Sequence, residues 1–356
     1  MTPTAPRPVK SAAGVVACAL GCLALVLLMF GPRLWLMRSY LPGTYQWDRA
    51  HSFLLQCAAP LRQDVEPAML WRLLPPLVCH ALGLTGNAAL LLPFVGVLVL
   101  VVYVVELHRR RLNDLPFVLG GTLLFTTTSC VLVPLHWLGV NDAWVWLALL
   151  AVSFSPARWP IAVACLLAPW VDERFMIGLP LALLVRAADR GEAFAWRAVA
   201  LPALCLVPYA GLRLAFSAAG AGSAVTRDFL RQSVLHQAVL IAPWAPLGWW
   251  MGLRAAWVPA AYALSQRRRA LGAAVALTAL VSLAFAADLS RSIAVVEPVA
   301  MLGVFLGARR WPERAPAVAF ALGCAGLLIP AAHVVGAKLD LISPLPLELY
   351  RLLRAG

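Results

Sequence analysis

The sequence predicts an all-α protein, a polytopic bundle of about eleven transmembrane helices with an interfacial helix in its first outer loop. Three observations predict it. Hydrophobic residues fill 62% of the 356 positions and charged residues only 13%, against about half and about a quarter in water-soluble chains. Apolar runs close to the ~20 residues that cross a bilayer recur from Ala13 to Val335. The cations gather in short clusters at the ends of those runs, such as Arg109-Arg110-Arg111, Arg267-Arg268-Arg269 and Arg309-Arg310, where cytoplasmic loops carry them. Continuous apolar runs, in place of alternation, exclude a membrane barrel.

Taken in order, the apolar runs predict spans over 13–37, 87–106, 116–137, 143–155, 159–171, 174–186, 195–217, 238–264, 270–287, 292–307 and 315–336. The first comes after Arg7 and Lys10 and is too long for a signal-peptide core, so it is read as an uncleaved span with the N-terminus in the cytoplasm. That start places the arginine-rich loops 107–115, 186–195, 265–270 and 308–314 inside and leaves the outer links nearly neutral. Ser155-Pro156-Ala157-Arg158-Trp159-Pro160 divides 143–171 into two short spans or a re-entrant pair. One kinked helix there would reverse the parity and throw the arginine triplet outside. Residues 38–86 form the first extracytoplasmic loop, and its amphipathic run Met69 to Leu84, with Trp71, Arg72 and Pro75-Pro76, suits a helix lying along the interface. Residues 1–356 read as one integral membrane domain, in a bacterial-type inner membrane.

A net charge of +13 does not indicate nucleic acid, because no solvated domain gathers the cations with interleaved aromatics. Six cysteines lie in apolar runs and read as packing residues. Cys57 and Cys79 flank the first long loop and can pair if that loop is extracytoplasmic. The histidines are scattered, without metal-ligand spacing, so no metal is evident. The fourteen tryptophans cluster near span ends and read as interfacial anchors, with Trp47 and Trp71 the two that suit a sugar platform.

The acids of the outer links are the chemical candidates, since charge beside an apolar core persists where it is paired or used. Asp48, between Trp47 and Arg49, is placed to act as a general base or else to remain a loop acid paired with Arg49. Asp172-Glu173-Arg174 separates two short apolar runs at the membrane surface. Arg174 can grip a phosphate through its planar fork, or the triplet can simply cap helix ends. Asp288 and Arg291, three apart, pair on a helix or hold Arg291 toward an anion. Secondary candidates are Asp64, Glu66, Asp142, Asp172 and Glu297, the last an acid inside a span.

With these residues in view, the chain resembles the GT-C superfamily of integral-membrane glycosyltransferases, of the small bacterial type. The resemblance is carried by TYQWDRAHSFLLQ, MLWRLLPPLVCHALG, DERFMIGLPLALL and the DLSRS link, and covers about the first half of the chain. It implies a polyprenyl-phosphate sugar as donor, a glycan, lipid or protein as acceptor, and work on the cell envelope or its polysaccharide. It implies Asp48 as catalytic base, Arg174 and Arg291 as phosphate ligands supported by Glu173 and Asp288, and membrane lipid as a partner beside the lipid-linked donor and the acceptor. A transporter or flippase for a lipid-linked or small solute is the alternative, and a non-catalytic assembly subunit a third.

Overall fold

The structure, a computed structural model, describes residues 8–9, 11–33, 45–62, 65, 69–218, 239–266, 269–285 and 288–354. They are mostly helical. Helix α1 (Ala12–Met29) starts where Ser11 accepts a hydrogen bond from the Gly14 amide, an N-cap, and precedes α2 (Tyr45–Ala58) and α3 (Leu74–Ala81). Pro75 and Pro76 stand in the first turn of α3, where their missing amide hydrogens cost nothing. Within the run 69–84, expected as an interfacial helix, only this shorter stretch is α-helical, entered by the turn in which Arg72 N donates to Met69 O.

A 3-10 turn (Gly86–Leu90) leads into α4 (Leu91–Arg111), and α5 (Leu115–Thr126), α6 (Ser129–His136), α7 (Asp142–Phe154), α8 (Trp159–Leu167), α9 (Arg174–Arg190) and α10 (Arg197–Ala218) come next. Beyond them lie α11 (Ala245–Leu253), α12 (Trp257–Ser265), α13 (Arg269–Phe285), the single turn α14 (Leu289–Ser292), α15 (Glu297–Arg310) and α16 (Ala315–Leu328). Among the described residues four helical stretches are long and apolar enough to cross a bilayer: Ala12–Met29, Gly86–Arg111, Arg197–Ala215 and Leu289–Arg310. Helices α5 and α6 make a fifth if their 58° bend is counted within one span. The runs at 143–155 and 159–171 form helices of 13 and 9 residues, about 20 Å or less each and short of the ~30 Å hydrocarbon core.

The structure corrects the last expected span. Helix α16 stops at Leu328, and after Pro330 the chain turns into an antiparallel hairpin, β1 (Ala332–Val335) with β2 (Lys338–Leu341), closed through Gly336 at φ +58°. The β-branched pair Val334-Val335 favours the extended chain. The hairpin leads to α17 (Leu345–Arg354), and Val334 N donates to Ser290 Oγ at 3.2 Å. The 238–264 run is likewise broken, at Arg254, whose φ is +52°. Arg254 is fully buried and donates to Thr127 O and Gly326 O, each at 2.7 Å, and to Ile329 O. These carbonyls end α5 and α16, so the guanidinium satisfies acceptors that a helix C-terminus leaves unpaired. Phe30 lies 4.9 Å from its charge centre.

Helices α5 and α16 approach through glycines. A Cβ on Gly120 would stand 2.3 Å from Phe320 N, and one on Gly323 2.6 Å from Gly120 O. Small residues permit such close helix approach where lipid gives no hydrophobic drive. At one end of α9, Asp189 accepts from Arg111 and, at 2.7 Å, from Arg309, joining three of the arginine-bearing loops. The other end begins at Arg174, about 22 Å away along the axis.

Candidate functional site

Three helices begin at that other end, and each beginning is marked by an aspartate. Asp142 opens α7, Asp172 precedes α9 and accepts from the Arg174 amide at 2.9 Å, and Asp288 caps α14 by accepting from the Arg291 amide at 3.0 Å. Acids are stabilised there because unpaired amides and the helix dipole present partial positive charge. Packing brings these three starts together, which the separate motifs of the sequence did not disclose.

The side chains form one network. Arg291 forks onto Asp142, with Nε to Oδ2 at 2.5 Å and Nη2 to Oδ1 at 2.6 Å. Arg174 bridges the two carboxylates, Nη2 lying 2.9 Å from Asp142 Oδ1 and 2.7 Å from Asp172 Oδ2, while Nε donates to Asp172 Oδ1 at 2.8 Å. Arg72 reaches Asp172 Oδ2 at 3.0 Å and approaches Glu173 Oε2 at 3.7 Å. Arg213 donates to Glu173 Oε1 at 2.8 Å and to the Tyr209 hydroxyl at 2.9 Å, and it lies over the Trp71 ring at 4.8 Å. Asp142 and Asp172 are each only 2% exposed, a burial that carboxylates tolerate when charge-assisted hydrogen bonds surround them.

Burial alone raises the Asp172 carboxyl, but the guanidiniums of Arg174 and Arg72 outweigh it and hold that group well below the usual carboxylate range. Asp288 goes the other way. Its burial dominates over the pull of Arg291, and its carboxyl is raised, although Ser290 Oγ donates to it at 3.0 Å.

Beside the network lies a narrow cleft with a free volume of about 10 Å³, lined by Arg49, Arg72, Asp142, Asp172 and Arg291 among the charged residues. Phe53, Met69, Pro75, Pro76, Val140 and Val171 supply its apolar wall. Helix α2 is pressed against this wall because Gly139, at φ +74°, has no side chain. A Cβ there would stand 3.0 Å from Ala50 Cα. Asp48 belongs to α2, one residue before Arg49. Arg174 is not among the lining residues; its Nε and Nη2 donate to Asp142 and Asp172 and orient both, while its buried Nη1 is unpartnered.

Compared with family models, characterised proteins and solved structures, the chain matches none. The site is read from its own geometry.

Of the residues singled out in the sequence, Asp142, Asp172, Glu173, Arg174, Asp288 and Arg291 converge. Glu297 does not. It is 3% exposed among Phe125, Cys130, Trp146, Leu149 and Pro298, with Oε2 unpartnered. Asp64 and Glu66 lie outside the described residues, as do the side chains of Trp47 and Asp48. Arg49, Arg72 and Arg213 belong to the site without having been candidates. The signal for Arg72 was its place just before Pro75-Pro76, which start α3 and turn the preceding chain into the cleft. Among the described residues no three of His, Cys, Asp or Glu converge to hold a metal ion.

Proposed function

We propose that the chain is a multi-pass membrane glycosyltransferase that moves a sugar from a polyprenyl-phosphate carrier to an acceptor hydroxyl on the extracytoplasmic face. The observation that carries this reading is the single cleft in which three guanidiniums, Arg49, Arg72 and Arg291, face two carboxylates already engaged by arginine. Such a site offers planar guanidinium forks suited to a phosphate, and apolar residues beside it for the first carbons of a lipid. The cytoplasmic N-terminus and the outward placement of the cleft belong to the same proposal. They are supported by the separation of the Asp189 arginine cluster from the cleft at opposite ends of α9.

In this reading Asp48 takes the proton of the acceptor hydroxyl as its oxygen attacks the anomeric carbon. The bond from that carbon to the phosphate oxygen breaks, and the phosphate leaves with the electron pair, its charge met by Arg291, Arg72 and Arg49. Asp142, Asp172 and Arg174 hold the guanidiniums in place before the charge develops. Membranes containing the protein and a labelled polyprenyl-phosphate sugar provide the test. Asp48→Asn is expected to lower transfer about a hundredfold or more while donor binding persists. Unchanged transfer in that variant defeats the assignment.

The unpartnered Glu297, on the stretch Leu289–Arg310, favours a second reading, a transporter for a lipid-linked or small solute, since intramembrane acids mark ion and proton paths. Vesicle uptake without transfer, lost in Glu297→Gln, would select it.

A further inference from the structure

Helices α2 and α3 pack against each other around a small apolar core of Ala50, Phe53, Cys57, Met69, Cys79, Ala89, Leu90 and Leu138. Two of those residues are cysteines, one from each helix, and both are fully buried. Both are free thiols in the structure, and the Cys79 thiol donates to Ala89 O at 3.8 Å. His80 Nδ1 lies 3.1 Å from the Cys57 carbonyl, a tie between the two helices. The other six cysteines ride on the apolar helices α1, α6, α8, α10 and α16. Cys57 and Cys79 stand on helices outside every stretch long enough to span the bilayer.

We propose that Cys57 and Cys79 form a disulfide, made on the extracytoplasmic face, that fastens the helix bearing Arg49 to the helix just after Arg72. Disulfides persist in oxidising compartments, and cysteines of two packed helices that share one small core are brought together for the bond. The oxidant is the disulfide of an extracytoplasmic thiol oxidase. The Cys79 thiol loses its proton and attacks one sulfur of that disulfide. A mixed disulfide forms and one thiolate of the oxidase departs. Cys57 then loses its proton and attacks the Cys79 sulfur, releasing the second thiolate. Two thiols have lost two protons and two electrons, and the oxidase disulfide has gained the electrons as a dithiol. Since both sulfurs are buried once α2 and α3 have packed, the exchange belongs to folding, before the core closes.

The bond closes a loop that contains Met69 and Arg72, and it holds two lining segments of the cleft in register. The inference rests on the outward placement of residues 38–86 and not on the transferase reading, so transfer activity does not decide it.

The test uses the full chain, expressed in a host with an oxidising extracytoplasmic compartment, trapped in acid, denatured and alkylated with and without prior reduction. Wild type is expected to take two more alkyl groups after reduction. A peptide pair joining Cys57 to Cys79 should appear by mass spectrometry only in the unreduced sample. The two-group difference should vanish in Cys57→Ser and in Cys79→Ser and persist in Cys165→Ser. Complete alkylation without reduction, or a linked peptide joining other cysteines, overturns the proposal. Should the serine variants fail to accumulate, the linked peptide from wild type decides alone.

Discussion

A guanidinium is chosen at position 291 for its shape. Both Arg291 contacts to Asp142 use adjacent donors of one planar fork, and a lysine ammonium offers no such pair. Arg291→Lys is therefore expected to keep the charge but weaken donor binding about tenfold to a hundredfold, measured as the Kd of a labelled lipid phosphate. Equal affinity would show that position 291 acts as a point charge only. Asp172 makes a pH-dependent prediction. Its folded-state pKa is depressed, so its stabilising effect is complete above the unfolded carboxylate pKa of about 3.9 and is lost as pH falls through the lower folded value. Asp172→Asn should cost about 3–5 kcal/mol at neutral pH, because it leaves Arg72 and Arg174 under-paired. The difference in melting temperature from wild type should persist to about pH 4 and shrink below it. A difference that closes between pH 7 and 5 would contradict the depressed value.

At the scale of elements, breaks matter more than lengths. The 139–142 turn, the 168–173 link and the Asp288 cap are interruptions between apolar helices, and each delivers a charged residue to the same place. Gly139 is the sharpest constraint, since its left-handed backbone and its approach to Ala50 exclude a side chain. Gly139→Ala is expected to cost about 1–2 kcal/mol from the backbone alone and to displace α2 from the cleft wall. Thermal unfolding in detergent would register the first effect and weakened donor binding the second; a variant with wild-type values in both would remove α2 from the site. Arg254 works by the same logic away from the cleft. At the break between α11 and α12 it supplies donors to two helix ends that no water reaches.

Considered whole, the molecule is polarised along its helices. Asp189 with Arg111 and Arg309 occupies one end, and the Asp142, Asp172, Arg174, Arg291 network occupies the other, with the 332–341 hairpin leaning on Ser290 beside it. Under the proposed orientation, an impermeant thiol reagent applied to intact cells should modify a cysteine introduced at Ala337 and spare one at Ala193. Both positions are exposed, so equal labelling of the two would cancel the proposed sidedness and the extracytoplasmic chemistry with it.

Apolar runs and arginine clusters were sufficient, before any folding, to read a helical membrane protein with charge sorted to the ends of its helices. Burial of that much hydrocarbon and the cost of moving arginine through lipid are properties of composition and order. Asp142, Asp172, Arg174 and Arg291 were visible as oddities for the same reason, each being a charge beside an apolar run. Their union was not visible, because it depends on three helix starts meeting across up to 149 positions of sequence. Arg72, Arg49 and Arg254 were hidden more deeply still: an arginine in an amphipathic run, a loop or a long apolar stretch looks solvated or incidental until packing removes the water and supplies its partners. The strand at Ala332–Val335 was overridden in the same way, since Ala332, Val334 and Val335 after an apolar helix read as its continuation until the backbone pairing with Lys338–Leu341 is seen. Local chemistry decided that the chain is helical with charge at the ends of its apolar runs; only tertiary packing decided which charges share a site, because that energy lies between segments and not within them.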